Sequence, residues 1–413
     1  MHVEPETVLL QNALVFDGAS PELIEGASVL VEGQRIKEVG DRTLRSSAVR
    51  TIDLGGRFLM PGLIDAHFHA YGISLDVAHF DNLPMSLLAL HAARLLNDAL
   101  MRGYTTVRDA AGADRGLARA VEIGLIAGPR IFFAGKSLSQ TGGHGDLRSA
   151  DHCELCACGY SGVLARVVDG EDEVRKAARD ELRHGAHQIK IHVSGGVLSP
   201  TDPLWMPQFT RVEICAAVEE AAARRSYVMA HAHTAEAARR CIECGVRSIE
   251  HGTFIDGATA GLIASAGAFV VPTLAVVERI QLLGQGAGLS ASSVAKLAEV
   301  GRHGLEAFEN CVRAGVRIGF GTDLLGSLHR DQNVEFSVRR RVASAFEILK
   351  SATSVNAALL QRDGELGVVA PGALADLIVL DANPLEDISI FERSAESLRL
   401  IMKDGVIHRN SLN

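Results

Sequence analysis

Two histidines one residue apart, His67 and His69, close the run FLMPGLIDAHFH. Alternate residues of a strand point to the same side, so both imidazoles can reach one metal ion at the strand's C-terminal end. Four further residues of ligand type follow, each at or just past the end of another apolar segment. They are Lys190 in HQIKIHVSGG, His231 in YVMAHAH, His251 in SIEHG and Asp323 in IGFGTD. A lysine inside an apolar strand is costly unless it is paired or chemically modified. Its neutral amine can react with CO2, and the two carbamate oxygens can then bridge two metal ions. The glycines ahead of Asp323 allow close backbone packing, and YVMAHAH adds His233 at strand spacing from His231.

Imidazole and carboxylate ligands suit zinc, and also manganese, cobalt and iron. Two such ions can share one bridging hydroxide and clamp a substrate oxygen, bringing the water pKa to about 7 from about 15.7. Asp323 would take the hydroxide's proton and later pass it to a leaving nitrogen. The set therefore predicts two divalent ions, with zinc the best match, and a hydrolytic reaction.

The elements that must carry these residues alternate. Apolar strand candidates occur at Phe58–Ala66, Thr105–Asp109, Arg130–Ala134, Gln188–Val193, Tyr227–Ala230, Ser248–Glu250, Phe269–Pro272 and Arg317–Gly321. Segments such as DEVRKAARDELRHG and RVEICAAVEEAAARRS separate them, with apolar residues at helical spacing and Gly near their ends. Eight β/α alternations predict an α/β fold, a (β/α)8 TIM barrel over residues 61–367 with its site at the strand C-termini. Residues 1–60 and 368–413 read as short strands punctuated by Asp-Gly, Glu-Gly and Asn-Pro, and are expected to form one small β-sandwich from both ends.

The 413 residues are 47% apolar and 22% charged, ordinary for a globular protein. A formal net charge of −9 argues against nucleic acid as a partner. The first residues lack a basic segment followed by a long apolar stretch, and no apolar run is long enough to span a bilayer, so a cytoplasmic location is expected. Seven cysteines do not suggest a disulfide framework. Cys241 and Cys244 lie in a helical pattern and read as packed thiols. Cys153, Cys156 and Cys158 cluster with His152 in a loop, where a minor metal site stays open.

PGLIDAHFH, the lysine of IKIHVSGG, HAH, EHG and GTD resemble, in order, the metal-binding motifs of the amidohydrolase superfamily. The resemblance covers nearly the whole chain, including the closing GALADLIVLD. It implies that Lys190 is carboxylated and bridges the two ions. It assigns His67, His69 and Asp323 to the more buried ion, and His231 and His251 to the other. TGGHGD, SGGVLSPTDP and LHRDQNVEF further resemble the Xaa-Pro dipeptidase and carboxypeptidase-like branch, which includes ochratoxin-degrading amidohydrolases. That branch implies cleavage of an amide between an acyl or aminoacyl group and a C-terminal amino acid, with His144 polarising the scissile carbonyl. It also implies a homo-oligomer, for which SLLALHAARLLNDAL could be an interface or simply a barrel-covering helix. Dipeptidases of the branch often carry tyrosine where this chain has His233; the ochratoxin-hydrolysing members look more like this chain there. His233, His329 and Arg330 are the remaining candidates for substrate contact, and the loop from Lys136 to Val167 is where specificity is expected.

Three other readings compete with an amidase or peptidase. A mononuclear deaminase of a heterocycle would share the histidines and the aspartate but needs no bridging lysine. A cyclic-amide, lactone or carbamate hydrolase would use the same metals. A non-catalytic scaffold would be expected to lose ligands that this chain keeps.

Overall fold

A computed structural model describes residues 7–41, 43–44, 50–80, 82–149, 151, 161–283 and 289–412. The cysteines at 153, 156 and 158, with His152, lie outside the described residues.

Each of the eight strand candidates contains a strand. They are β1 (Leu63–Phe68), β2 (Tyr104–Asp109), β3 (Arg130–Phe133), β4 (Ile189–His192), β5 (Val228–Thr234), β6 (Ser248–Phe254), β7 (Phe269–Val271) and β8 (Arg317–Ile318). Their residues are almost all buried, as expected of parallel strands covered on both faces. Pairing is parallel throughout. One sheet runs β1-β2-β3, and the other continues through β4, β5, β6, β7 and β8. Ala66 N–H of β1 donates to the Phe320 carbonyl just past β8 at 2.8 Å, and His187 N–H, just ahead of β4, to the Phe133 carbonyl at 2.8 Å.

Helices follow the strands: α1 (Met85–Met101), α2 (Arg115–Glu122), α3 (Glu171–Arg183), α4 (Arg211–Ala223), α5 (Ala235–Glu243), α6 (Gly257–Ser265), α7 (Leu274–Leu283), α8 (Ala291–Arg313) and α9 (Val334–Arg339). Several begin where the sequence supplies an N-cap. The Asp114, Thr210, Thr234, Asp256 and Ser290 side chains each accept a backbone N–H in the first turn. The cysteines of TAEAARRCIECG are free thiols packed on the core, as expected. Cys241 is buried in the core between α5 and its neighbours, and Cys244 is partly exposed. No helix among the described residues is long and apolar enough to cross a membrane.

One expectation needs correction. Phe58–Ala66 is not one strand. Phe58–Pro61 belongs to the sheet made by the chain ends, and β1 begins only after Gly62. A Cβ on Gly62 would lie 2.2 Å from Thr105 Oγ1, so the chain changes sheets where only glycine fits. The described ends of the Lys136–Val167 stretch carry regular structure. Ser137–Ser139 and Ala165–Val167 form short strands that extend the second sheet beyond β4.

The two chain ends pair with each other. Strands Val8–Val15, Ile24–Glu32, Arg35–Gly40, Arg50–Asp53 and Phe58–Pro61 join Leu377–Leu380, Leu398–Lys403 and Val406–Asn410 in one eight-stranded sheet. The seam is the antiparallel pair of Phe58–Pro61 with Leu377–Leu380, where Leu59 faces Val379.

Candidate metal centre and active-site cavity

The strand ends open into a cavity of about 250 Å³. His67, His69, Lys190, His231, His251 and Asp323 all line it, together with His144, His192 and His233. The expected ligand set is therefore brought together, with one residue that sequence reasoning passed over. His192 is two residues beyond Lys190 on β4, and the strand rule that selected His67 and His69 would have found it.

Each histidine of the strand side is turned by a partner on one ring nitrogen. His67 Nδ1 donates to Glu250 Oε2 at 2.7 Å, deep in the core, and Arg108 clamps both oxygens of that carboxylate at 2.9 Å. His67 Nε2 is buried and has no hydrogen-bond partner. His69 Nδ1 donates to the Ala111 carbonyl at 3.2 Å, which aims Nε2 at Asp323 Oδ1, 3.1 Å away. His251 Nδ1 pairs with Thr273 Oγ1 at 2.8 Å. His67 Nε2, His69 and Asp323 thus converge, their ligand atoms within 4.8 Å of one another. A buried imidazole nitrogen left unpaired beside a second imidazole and a carboxylate fits a divalent cation.

Burial pulls the His67 imidazole down to about 4, helped by the Lys190 charge. It stays a neutral ligand across the physiological range. Burial also pulls on His69, but Asp323 outweighs it and leaves that ring raised. The carboxylate of Asp323 gains from the same contacts: burial pushes it up, and His67, His69 and Lys190 together bring it to about 2. Lys190 is 2% exposed. Burial lowers its amine to about 8, so a neutral, nucleophilic fraction exists near neutrality.

The backbone is strained where the ligands leave their strands. His251 has φ 70° and Asp323 has φ 55°, left-handed values unusual for residues other than glycine. Such conformations persist where surrounding structure imposes them, most often at functional sites. Around Asp323 the imposing contacts are visible. Its N–H donates to the His67 carbonyl at 2.8 Å, and Thr322 Oγ1 donates to buried Asp65 at 2.6 Å. A Cβ on Gly321 would lie 2.5 Å from Val271 and 2.7 Å from His67, which accounts for the glycine ahead of the aspartate.

The opposite wall is built from loops. His144 stacks on His231 with ring centroids 4.2 Å apart, and the ligand atoms of His144, His192 and His231 form a second group within 4.8 Å. His231 thus groups with His144 and His192, although its ring also lies 4.6 Å from that of His251. His192 Nε2 pairs with Ser137 Oγ at 2.9 Å, and its Nδ1 is buried without a partner. His144 sits where Gly196 leaves space, since a Cβ there would be 2.2 Å from its ring. Its N–H donates to Gln208 Oε1 at 2.9 Å, and its Nδ1 is 2.7 Å from Ser199 Oγ. That is the shorter of the hydroxyl's two contacts, the other being the Gly196 carbonyl at 3.3 Å. The hydroxyl's single proton can serve only one of these two contacts, and His144 Nδ1 also lies 3.7 Å from Asp202 Oδ2. Burial lowers the pKa of His144 and keeps it neutral. Behind it lies fully buried Asp202, held by Gly196 N–H at 3.0 Å and Gln208 Nε2 at 3.1 Å.

His233 lines the cavity beside His251, its Nδ1 paired with Thr253 Oγ1 at 2.8 Å. His329 and Arg330 are a correction: neither lines the cavity. His329 is buried under Phe68 and pairs with the Gly72 carbonyl at 3.2 Å, bracing the turn after β1. The Arg330 side chain is 75% exposed beside Asp331. Both precede α9 in a short helical turn that carries them past the cavity wall.

Parallel strands that deliver histidines, a buried lysine and an aspartate to one cavity define a metal-dependent hydrolase. The chain belongs to the amidohydrolase family, whose model matches residues 58–407. Ochratoxinase from Aspergillus niger is 36% identical over 351 residues, covering 81% of this chain and 72% of that protein. A crystal structure of a prolidase complexed with N-methylphosphonate-L-proline superposes with a TM-score of 0.95 at 45% identity, covering 98% of this chain and 100% of that one. A Xaa-Pro dipeptidase with methionine bound in its active site gives a TM-score of 0.87 at 31% identity, again covering 98% and 100%.

Proposed function

We propose that this enzyme is a dinuclear zinc amidohydrolase of the amidase, dipeptidase or carboxypeptidase kind. Its substrates are N-acyl or aminoacyl amino acids, ochratoxin-like aryl amides among them. The observation that carries the reading is the convergence of His67, His69, Lys190, His231, His251 and Asp323 on one cavity that His144 faces from the other side. The kinship with an ochratoxinase and a prolidase supports it. In this reading the two sheets are one closed (β/α)8 barrel, residues 61–367, and the paired ends, 1–60 with 368–413, are a separate small domain.

His67, His69 and Asp323 would hold one ion, His231 and His251 the other, and carboxylated Lys190 would bridge them. When bound, the ions supply an ionised water near neutral pH and polarise a carbonyl oxygen. Asp323, ionised down to about pH 2, accepts a proton at Oδ1 or Oδ2 and returns it to the leaving nitrogen. His144, in the tautomer that carries its proton on Nε2, would donate a hydrogen bond to the scissile carbonyl oxygen as negative charge develops there. His233 and His192 offer further polar contacts to the substrate. A buried lysine among the ligands favours hydrolysis over the deaminase reading, which has no use for it.

The test is Lys190→Ala with metal analysis. Activity and bound metal should both fall, and short carboxylic acids should restore part of the activity. A fully active variant holding one metal would refute the dinuclear reading. Lys190 also sets a pH dependence. Its amine is protonated below about 8 and cannot take up CO2, so reactivation of stripped enzyme by metal at a constant dissolved CO2 concentration should quicken up to about pH 8 and level off above it. An ordinary lysine would keep quickening to about pH 10.4.

A further inference from the structure

The cavity does not stop at the histidines. It continues between α7 and α8, where Val276, Ile280, Leu297 and Val300 form an aliphatic wall. All four are less than a tenth exposed, and three of them belong to one small apolar cluster with Leu324 and Leu328. On α8, Gly301 and Gly304 also line this arm. A Cβ on Gly301 would lie 2.1 Å from Gln281 Nε2, at the flexible end of a side chain. The charged groups beyond the aliphatic stretch, Glu278 and Arg341, already pair with each other at 2.8 Å, and the arginine is 53% exposed.

The two halves of an N-acyl amino acid differ in what such a wall accepts. A carboxylate buried against aliphatic carbon without a partner is costly. An acyl chain or aryl ring gains by leaving water. The amino-acid half therefore belongs among the histidines, and the acyl half belongs in the arm. We propose that the channel between α7 and α8 is the acyl subsite, and that the substrates carry an extended apolar acyl group, aliphatic or aromatic. This rests on the amidase reading and adds to it the part of the substrate that sets selectivity.

The experiment is a series of N-acyl amino acids with one constant amino acid and acyl groups from acetyl to decanoyl, assayed with zinc-loaded enzyme. Each added methylene should raise kcat/KM about fourfold until the arm is full. Gly301→Leu should fold, because leucine suits a helix interior better than glycine and the Gln281 amide can swing aside. It should lower the octanoyl-to-acetyl ratio of kcat/KM at least tenfold, and a thermal melt checks its folding. A flat chain-length profile, or a ratio unchanged in a folded Gly301→Leu, would overturn the acyl subsite while leaving the amidase intact. Should no member be hydrolysed, the amidase reading fails, and the arm is then tested by binding. Octanoyl but not acetyl compounds should displace an apolar fluorescent probe from the wild type and not from Gly301→Leu; equal displacement by both refutes the arm.

Discussion

The two walls of the cavity are held by different means. On one side His67, His69 and Asp323 stand at strand ends, fixed by backbone carbonyls and by the buried Arg108–Glu250 pair. On the other, His144 rides on a loop, seated against a glycine and oriented by the Ser199 hydroxyl and the Gln208 amide of a second loop. The strand side has the rigidity that metal binding and proton transfer require. The loop side can vary its residues and spacing without disturbing the strands, which suits a surface that chooses among substrates.

The contrast predicts a graded series of losses. Removing the proton acceptor should hurt most: Asp323→Asn should lower kcat by about 10²–10⁴-fold, followed by substrate turnover alongside metal content. His144→Ala should cost about 10²–10³-fold in kcat with the metal retained. If His144→Ala lost its metal as well, the two walls would not be separable. One step out, Glu250→Gln should weaken metal affinity about 10–100-fold, because the amide no longer fixes the proton on His67 Nδ1. Chelator competition measures it, and an affinity equal to wild type would mean that Glu250 serves folding alone. The smallest effect belongs to the loop side. Ser199→Ala should lower kcat about 2- to 10-fold by removing the hydroxyl that holds the His144 ring in place. A change in KM alone would assign Ser199 to substrate binding instead.

Much of the strand side was readable because its signal is local. Alternation along a strand places His67 beside His69 without any knowledge of neighbours, and a lysine within IKIH is conspicuous for its cost of burial. His192 obeys the same alternation, but a single histidine in an apolar strand carries no mark that separates a cavity residue from a packed one. Glu250 and Arg108 could not be found this way. They meet only when β1, β2 and β6 are assembled, and nothing in SIEHG or TTVRD says which strand lies opposite. His329 and Arg330 show the converse hazard. They follow Asp323 closely in sequence, yet the turn after residue 325 directs one into the core and the other into solvent. The join at Gly62 is hidden because Phe58–Ile64 is apolar throughout, and hydrophobicity carries no mark of which sheet a residue enters.

That join also bears on how the chain acquires its shape. Phe58–Pro61 is a few residues ahead of His67, yet its partner Leu377–Leu380 lies beyond all eight parallel strands. Contacts so distant along the chain form slowly, because a very large loop must close before they are rewarded. During synthesis, the stretch that leads into the first pair of histidines therefore waits with an open strand edge until the last strands emerge. Expression at low temperature or with a holding chaperone should protect that edge, and loss of the final strands should cost the yield of folded enzyme before it costs the chemistry of any that folds.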